Sequence, residues 1–214
     1  MSLAFPARRR TPRRSPQQPT TLFDTGGLLT LAVDSGLWNL ALSRFEATAK
    51  TVVAVISELE HLRRDSKVGR LAFAVLGALA WLGEPVALDD DGGREEAERL
   101  RDAIAGGRPL IHPLQHYGEA ALIVVGRSLG AQAVIEDYDA RVAALRYGVR
   151  PLSVHKLLHL WIRQGVLTSA QAFEYSEAIR HAGRVSTTPR RNLSKVAASS
   201  AGSVNPKEQS PGRP

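Results

Sequence analysis

The chain has 214 residues, a formal charge of +7 and no cysteine. That length suits one domain with flanking segments better than two small domains. The lack of cysteine excludes disulfides, thiolate zinc sites and thiol nucleophiles, and agrees with an intracellular, cytoplasmic protein.

No apolar stretch approaches the roughly 20 residues needed to cross a bilayer, and no long apolar run follows the basic N-terminus. Neither a membrane span nor a secretory signal is expected. The positive charge belongs to the ends. Residues 1–20 carry five arginines and no acid, residues 184–214 carry a net +5, and residues 21–183 between them are left at −3. Both ends are rich in Pro, Ser, Arg and Thr and poor in large apolar residues, so residues 1–19 and 184–214 are expected to be disordered basic tails around a domain at 20–183. Such tails add salt-sensitive attraction to phosphates or simply solvate the chain.

Along the body, Thr20–Asp24 is a short apolar strand that stops at an acid. Helical spacing follows from Gly27 to about Phe45, broken near Asp34-Ser35-Gly36. The β-branched run 51–56 (TVVAVI) reads as an interior parallel strand. Ser57 with Glu60 reads as a capping box, which gives Glu60 a structural task and leaves Glu58 free for chemistry. An Ala/Leu-rich helix is predicted over 70–82 and a charged amphipathic one over 93–105. The Asp89–Gly93 run between them lacks the ligand series and closing Glu of a calcium loop and reads as a solvated turn.

A helix opens at Gly118-Glu119, with Leu122, Val125 and Leu129 on its buried face. Residues 131–137 form a strand ending at acids, and the next helix holds Arg141, read as a salt-bridge partner in preference to a phosphate contact. Val154, Leu157, Leu158, Trp161 and Ile162 form one stripe of a helix over 153–163, and a last helix runs from about Ser169 to His181. Alternating strand and helix segments predict an α/β sandwich with a mainly parallel sheet.

Asp24, Glu58, Glu119 and Asp137 all stand where an apolar run stops and a helical pattern begins. One carboxylate at such a place is explained by the helix dipole. Four need more, because parallel strands that feed helices open on one sheet edge and bring distant residues together there. Convergent carboxylates repel, and Mg²⁺ or Mn²⁺, hard ions that prefer oxygen ligands, would resolve the repulsion. Raised carboxylate pKa values are expected in the metal-free state.

Other motifs point nowhere. His112 and His116 have Pro113 between them, and His155 and His159 flank an apolar stripe without a nearby carboxylate pattern, so ordinary histidines are favoured over a metal pair. Thr25–Leu28 lacks the Lys of a phosphate loop. Gly126–Gly130 spells G-x-S-x-G, but late in a helix, where no nucleophile elbow forms.

Four segments in order, LFDTGGLL, VISELEHLRRD, YGEAALIVVGRSLGA and VIEDYDARVAA, continued by GVRPLSVHKLLHLWIRQGVLT, resemble the PIN-domain family of metal-dependent ribonucleases, which includes the toxins of VapC-type toxin–antitoxin pairs. The resemblance covers about 20–183 and implies a three-layer α/β/α sandwich with a mainly parallel central sheet. It also implies Mg²⁺ or Mn²⁺ held by Asp24, Glu58, Glu119 and Asp137, RNA as substrate, an antitoxin partner and a homodimer. Where the similar branch has Asp-Asp, this chain has Glu136-Asp137; Asp137 is the choice for the fourth ligand, with Asp139 and Glu136 as substitutes. The expected activity is endoribonucleolytic. The alternative is a PIN-like module that binds nucleic acid or protein while its acids cap helices. A phosphoacceptor regulator is a third reading, disfavoured because Arg150-Pro151 stands where such a protein wants a Lys.

Overall fold

The structure, a computed structural model, describes residues 19–65 and 67–184. The tails expected to be disordered, 1–19 and 184–214, lie outside the described residues except for Pro19 and Arg184, and Arg184 is held to α9 by its N–H, which donates to the Ile179 carbonyl at 3.0 Å.

Four short strands, β1 (Thr21–Phe23), β2 (Ala49–Lys50), β3 (Gln132–Val134) and β4 (Arg150–Leu152), form one sheet in the order β2-β1-β3-β4. Every pairing is parallel, with Leu22 opposite Lys50 and Ala133, and Ala133 opposite Pro151. Pro151, which has no N–H to donate, sits in β4 at the sheet's edge, where a strand tolerates it.

Leu22 and Phe23 are neighbours on β1 and so face opposite sides of the sheet, yet both are fully buried. Helices therefore cover both faces, and the molecule is a three-layer α/β/α sandwich. On one side Leu22 meets Gly126 of α6 (Tyr117–Leu129). On the other, the Phe23 ring packs edge-on against Phe45, the last residue of α2 (Ser35–Phe45), at 5.3 Å, and against Trp81 at 5.4 Å.

The chain passes from β1 through α1 (Thr25–Leu31) and α2 to β2. It then runs through α3 (Val53–Leu62), α4 (Gly69–Gly77), a 3₁₀ turn (Leu79–Leu82), α5 (Asp91–Ala105) and α6 to reach β3 on the other side of β1. α7 (Tyr138–Arg146), β4, α8 (Val154–Arg163) and α9 (Ser169–His181) complete it. The strand order reverses between β1 and β3, and in open parallel sheets the crevice beyond the strand ends at such a reversal is where ligands bind.

Residues 51–56 are not a strand. β2 ends at Lys50, and α3 begins at Val53. Val52, Val55 and Leu59 are all buried at the 3 and 4 spacing of one helix face, and that packing outweighs the modest helix penalty of valine. Ser57 accordingly lies inside α3, donating to the Val53 carbonyl at 3.2 Å, and Glu60 pairs with Arg63 at 2.9 Å, so no capping box forms there. Leu129, expected on the buried face of α6, is 50% exposed because it is the helix's final residue. The Asp89–Gly93 run does start a helix: Asp90 caps α5 by accepting from Gly93 N at 2.6 Å. Among the described residues, no helix is long and apolar enough to cross a membrane.

Candidate functional site

Asp24 follows β1 directly and caps α1. One carboxylate oxygen accepts from Gly27 N and the other from Glu136 N, the latter at 3.0 Å, so Asp24 ties the β1 end to the β3 end. Gly27 permits this closeness, since a Cβ there would lie 2.8 Å from Asp24 Oδ1 and 3.2 Å from the Val134 carbonyl. Asp24 is 1% exposed. Burial raises its pKa well above the ordinary carboxylate range, helped by the charges of Glu119 and Glu136 and opposed by the two N–H groups.

Glu58 reaches the same edge from the second turn of α3 and accepts a short hydrogen bond from the Thr25 hydroxyl, next to Asp24. Its Oε2 would stand 2.5 Å from a Cβ on Gly118, so the absent side chain at 118 is what lets α6 and Glu58 meet. Burial and then the Glu119 charge push its pKa up to about 8, against the Thr25 and Gly118 donors.

Glu119 lies in the first turn of α6. Its Oε2 is buried without a hydrogen-bond partner among the described residues. Burial raises its pKa; its own backbone N–H and the His116 charge oppose that, and the Asp137 charge adds to it. His116, just before α6, has φ 60°, the one left-handed non-glycine backbone among the described residues.

Asp137 caps α7, accepting from Ala140 N at 2.8 Å. Glu136, beside it, turns the other way and accepts from Val154 N at 2.6 Å, at the start of α8. Burial raises its pKa, against the Val154 N–H, Arg141 and Arg184. Asp139, the other substitute, pairs with Arg108 at 2.7 Å on the surface.

All four sequence-chosen acids thus reach one edge, at the β1/β3 reversal, and Glu136 joins them. Arg141, read as a salt-bridge partner, forms no ion pair among the described residues: its buried guanidinium donates to the Ile135 carbonyl at 3.0 Å and the Glu136 carbonyl at 2.5 Å, holding the turn after β3. Thr25, Gly118 and Arg184 escaped sequence reasoning. Thr25 follows Asp24 in the quoted LFDT run, where only the acid was read. Arg184 Nη1 donates to the Gly26 carbonyl at 3.3 Å, a contact across 158 positions with no local signal.

Of the residues in the two histidine pairs, His155 has its Nδ1 buried without a hydrogen-bond partner among the described residues. His112 accepts from Leu114 N and stacks on His61, with ring centroids 4.0 Å apart, while burial and the His159 charge lower the pKa of His155. Ser128, in the G-x-S-x-G run, lies within α6 and donates to the Val125 carbonyl at 2.9 Å.

The donor chemistry fits a hard divalent ion: every candidate group is a carboxylate oxygen, burial raises the pKa of Asp24, Glu58 and Glu119, and Glu119 Oε2 is a buried acceptor without a partner among the described residues. Among the described residues, however, no three acidic or histidine side chains are drawn together closely enough to enclose a metal ion. Compared with known protein families, curated proteins and solved structures, the chain finds no match.

Proposed function

We propose that this chain is a Mg²⁺- or Mn²⁺-dependent endoribonuclease of PIN type, hydrolysing RNA phosphodiester bonds at the edge that carries Asp24, Glu58, Glu119 and Asp137, with Glu136 beside them. The observation that supports it is the convergence of buried, mutually repelling carboxylates at the β1/β3 reversal. Capping alone does not account for it, because Glu58 reaches the edge from the second turn of its own helix and Glu119 Oε2 accepts from nothing among the described residues.

A bound divalent ion would supply charge neutralisation at the scissile phosphate and an acidified water. The chain's own residues prepare for this. The Gly27 and Glu136 N–H groups fix Asp24, Thr25 orients Glu58, and the Gly118 backbone admits Glu58. An antitoxin partner and a homodimer belong to the same proposal and rest on the family resemblance alone.

The test is cleavage of a mixed structured and single-stranded RNA pool with Mg²⁺, with Mn²⁺ and with chelator, comparing the full chain with Asp24→Asn. Metal-dependent cleavage that the variant loses supports the proposal. A second reading, a nucleic-acid or protein binding module, draws on the capping hydrogen bonds of Asp24 and Asp137 and on the open spacing of the acids. Neither cleavage nor calorimetric metal binding would favour it.

A further inference from the structure

Gly183, with φ 69°, turns the chain at the end of α9, and the Arg184 N–H bonds back to the Ile179 carbonyl at 3.0 Å. This directs the Arg184 side chain to the first turn of α1, where Nη1 meets the Gly26 carbonyl. Gly26 in turn backs directly onto the acids: a Cβ there would lie 3.0 Å from Glu136 Cβ and 3.5 Å from Asp24 Oδ2. A permanently charged guanidinium therefore stands beside the carboxylate edge.

Its bonding is incomplete. A guanidinium carries five N–H donors in a planar fork, and among the described residues Arg184 is given one acceptor, a neutral carbonyl. An arginine that served only to neutralise the acids would close on one of them, yet the ion pairs formed among the described residues do not include Arg184. The remaining donors suit a phosphate, which matches the fork with two parallel hydrogen bonds.

We propose that Arg184 is the substrate-binding cation of this site, the group that grips a phosphate of the RNA strand laid over the carboxylates. This rests on the nuclease reading. A fixed cation beside acids that hold a metal repels that metal while attracting the substrate, so its removal acts on the two ligands in opposite directions.

Full-length Arg184→Gln and Arg184→Lys are compared with the unaltered chain in two assays: steady-state cleavage of single-stranded RNA with Mg²⁺, and calorimetric titration of Mg²⁺ into RNA-free protein. In Arg184→Gln, KM rises about tenfold or more, kcat changes by less than about threefold, and Mg²⁺ binds a few-fold more tightly. Lys keeps the charge without the fork, so it restores the Mg²⁺ affinity and recovers KM only in part. An unchanged KM in Arg184→Gln overturns the proposal. Weakened Mg²⁺ binding, or a fall in kcat alone, also overturns it by marking a structural role. Absence of cleavage by the unaltered chain overturns the nuclease reading and this one together, whereas cleavage with equal KM values overturns only the role of Arg184.

Discussion

Asp24 and Glu119 are both buried acids with raised pKa values, but their surroundings separate them. Asp24 gives both oxygens to backbone N–H groups, while Glu119 Oε2 accepts from nothing among the described residues. Replacing Glu119 by Gln removes charge repulsion and breaks no hydrogen bond to another described residue. Replacing Asp24 by Asn sets an amide NH₂ against either Gly27 N–H or Glu136 N–H, leaving a buried donor unpaired at a cost of about 1–3 kcal/mol. Both variants should lose cleavage by about a hundredfold or more. Metal-free Glu119→Gln should unfold at the same or higher denaturant concentration than the unaltered chain, and Asp24→Asn at a lower one. Urea melts of the two variants decide this; a Glu119→Gln protein less stable than Asp24→Asn would mean that Glu119 holds the fold.

At the scale of elements, the site depends on how closely α6 approaches α3, and Gly118 sets that distance. A methyl group on Gly118 would press to 2.5 Å from Glu58 Oε2 and 3.0 Å from its Cδ, while Thr25 holds the carboxylate from the other side. Gly118→Ala should therefore cost about 1–3 kcal/mol and displace Glu58 from the edge, lowering cleavage at least about tenfold. Gly77 in α4 has nothing within 4 Å of its Cβ position, so Gly77→Ala should leave cleavage intact and add up to about 1 kcal/mol. Equal stability and activity in the two variants would remove Gly118 from the site's architecture.

The same elements show what the sequence could reveal. Helices α5, α6, α8 and α9 were legible because their apolar spacing or charge pattern persists for ten residues or more. The strands are only two or three residues long, too short for periodicity to declare itself. The valine-rich run at 51–56 therefore read as strand although tertiary packing makes most of it helix, and β4, carrying Pro151, went unread. The four acids were legible because each follows an apolar run. Glu58 meeting Gly118, and Arg184 reaching Gly26, depend on helices folding back across the sheet, and no local pattern records them.

For the whole molecule, these acids link folding to protons and to metal. Glu58 has a folded pKa of about 8 against an ordinary 4.5. Across that window the folded protein keeps a proton that the unfolded chain has released, so raising the pH through it lowers stability. Asp24, Glu119 and Glu136 are shifted in the same direction and add to the slope. The metal-free protein should thus melt at least about 3 °C lower at pH 8 than at pH 5.5, a change that corresponds to about 1 kcal/mol in a chain of this size. Mg²⁺ competes with those protons for the same oxygens, so its binding tightens as they leave. Saturating Mg²⁺ should raise the melting temperature more at pH 8 than at pH 5.5 and flatten the decline. Differential scanning calorimetry at the two pH values, with Mg²⁺ and with chelator, measures all four states. A melting temperature that rises with pH in chelator would contradict the burial of these carboxylates, and an equal Mg²⁺ effect at both pH values would place the metal away from them.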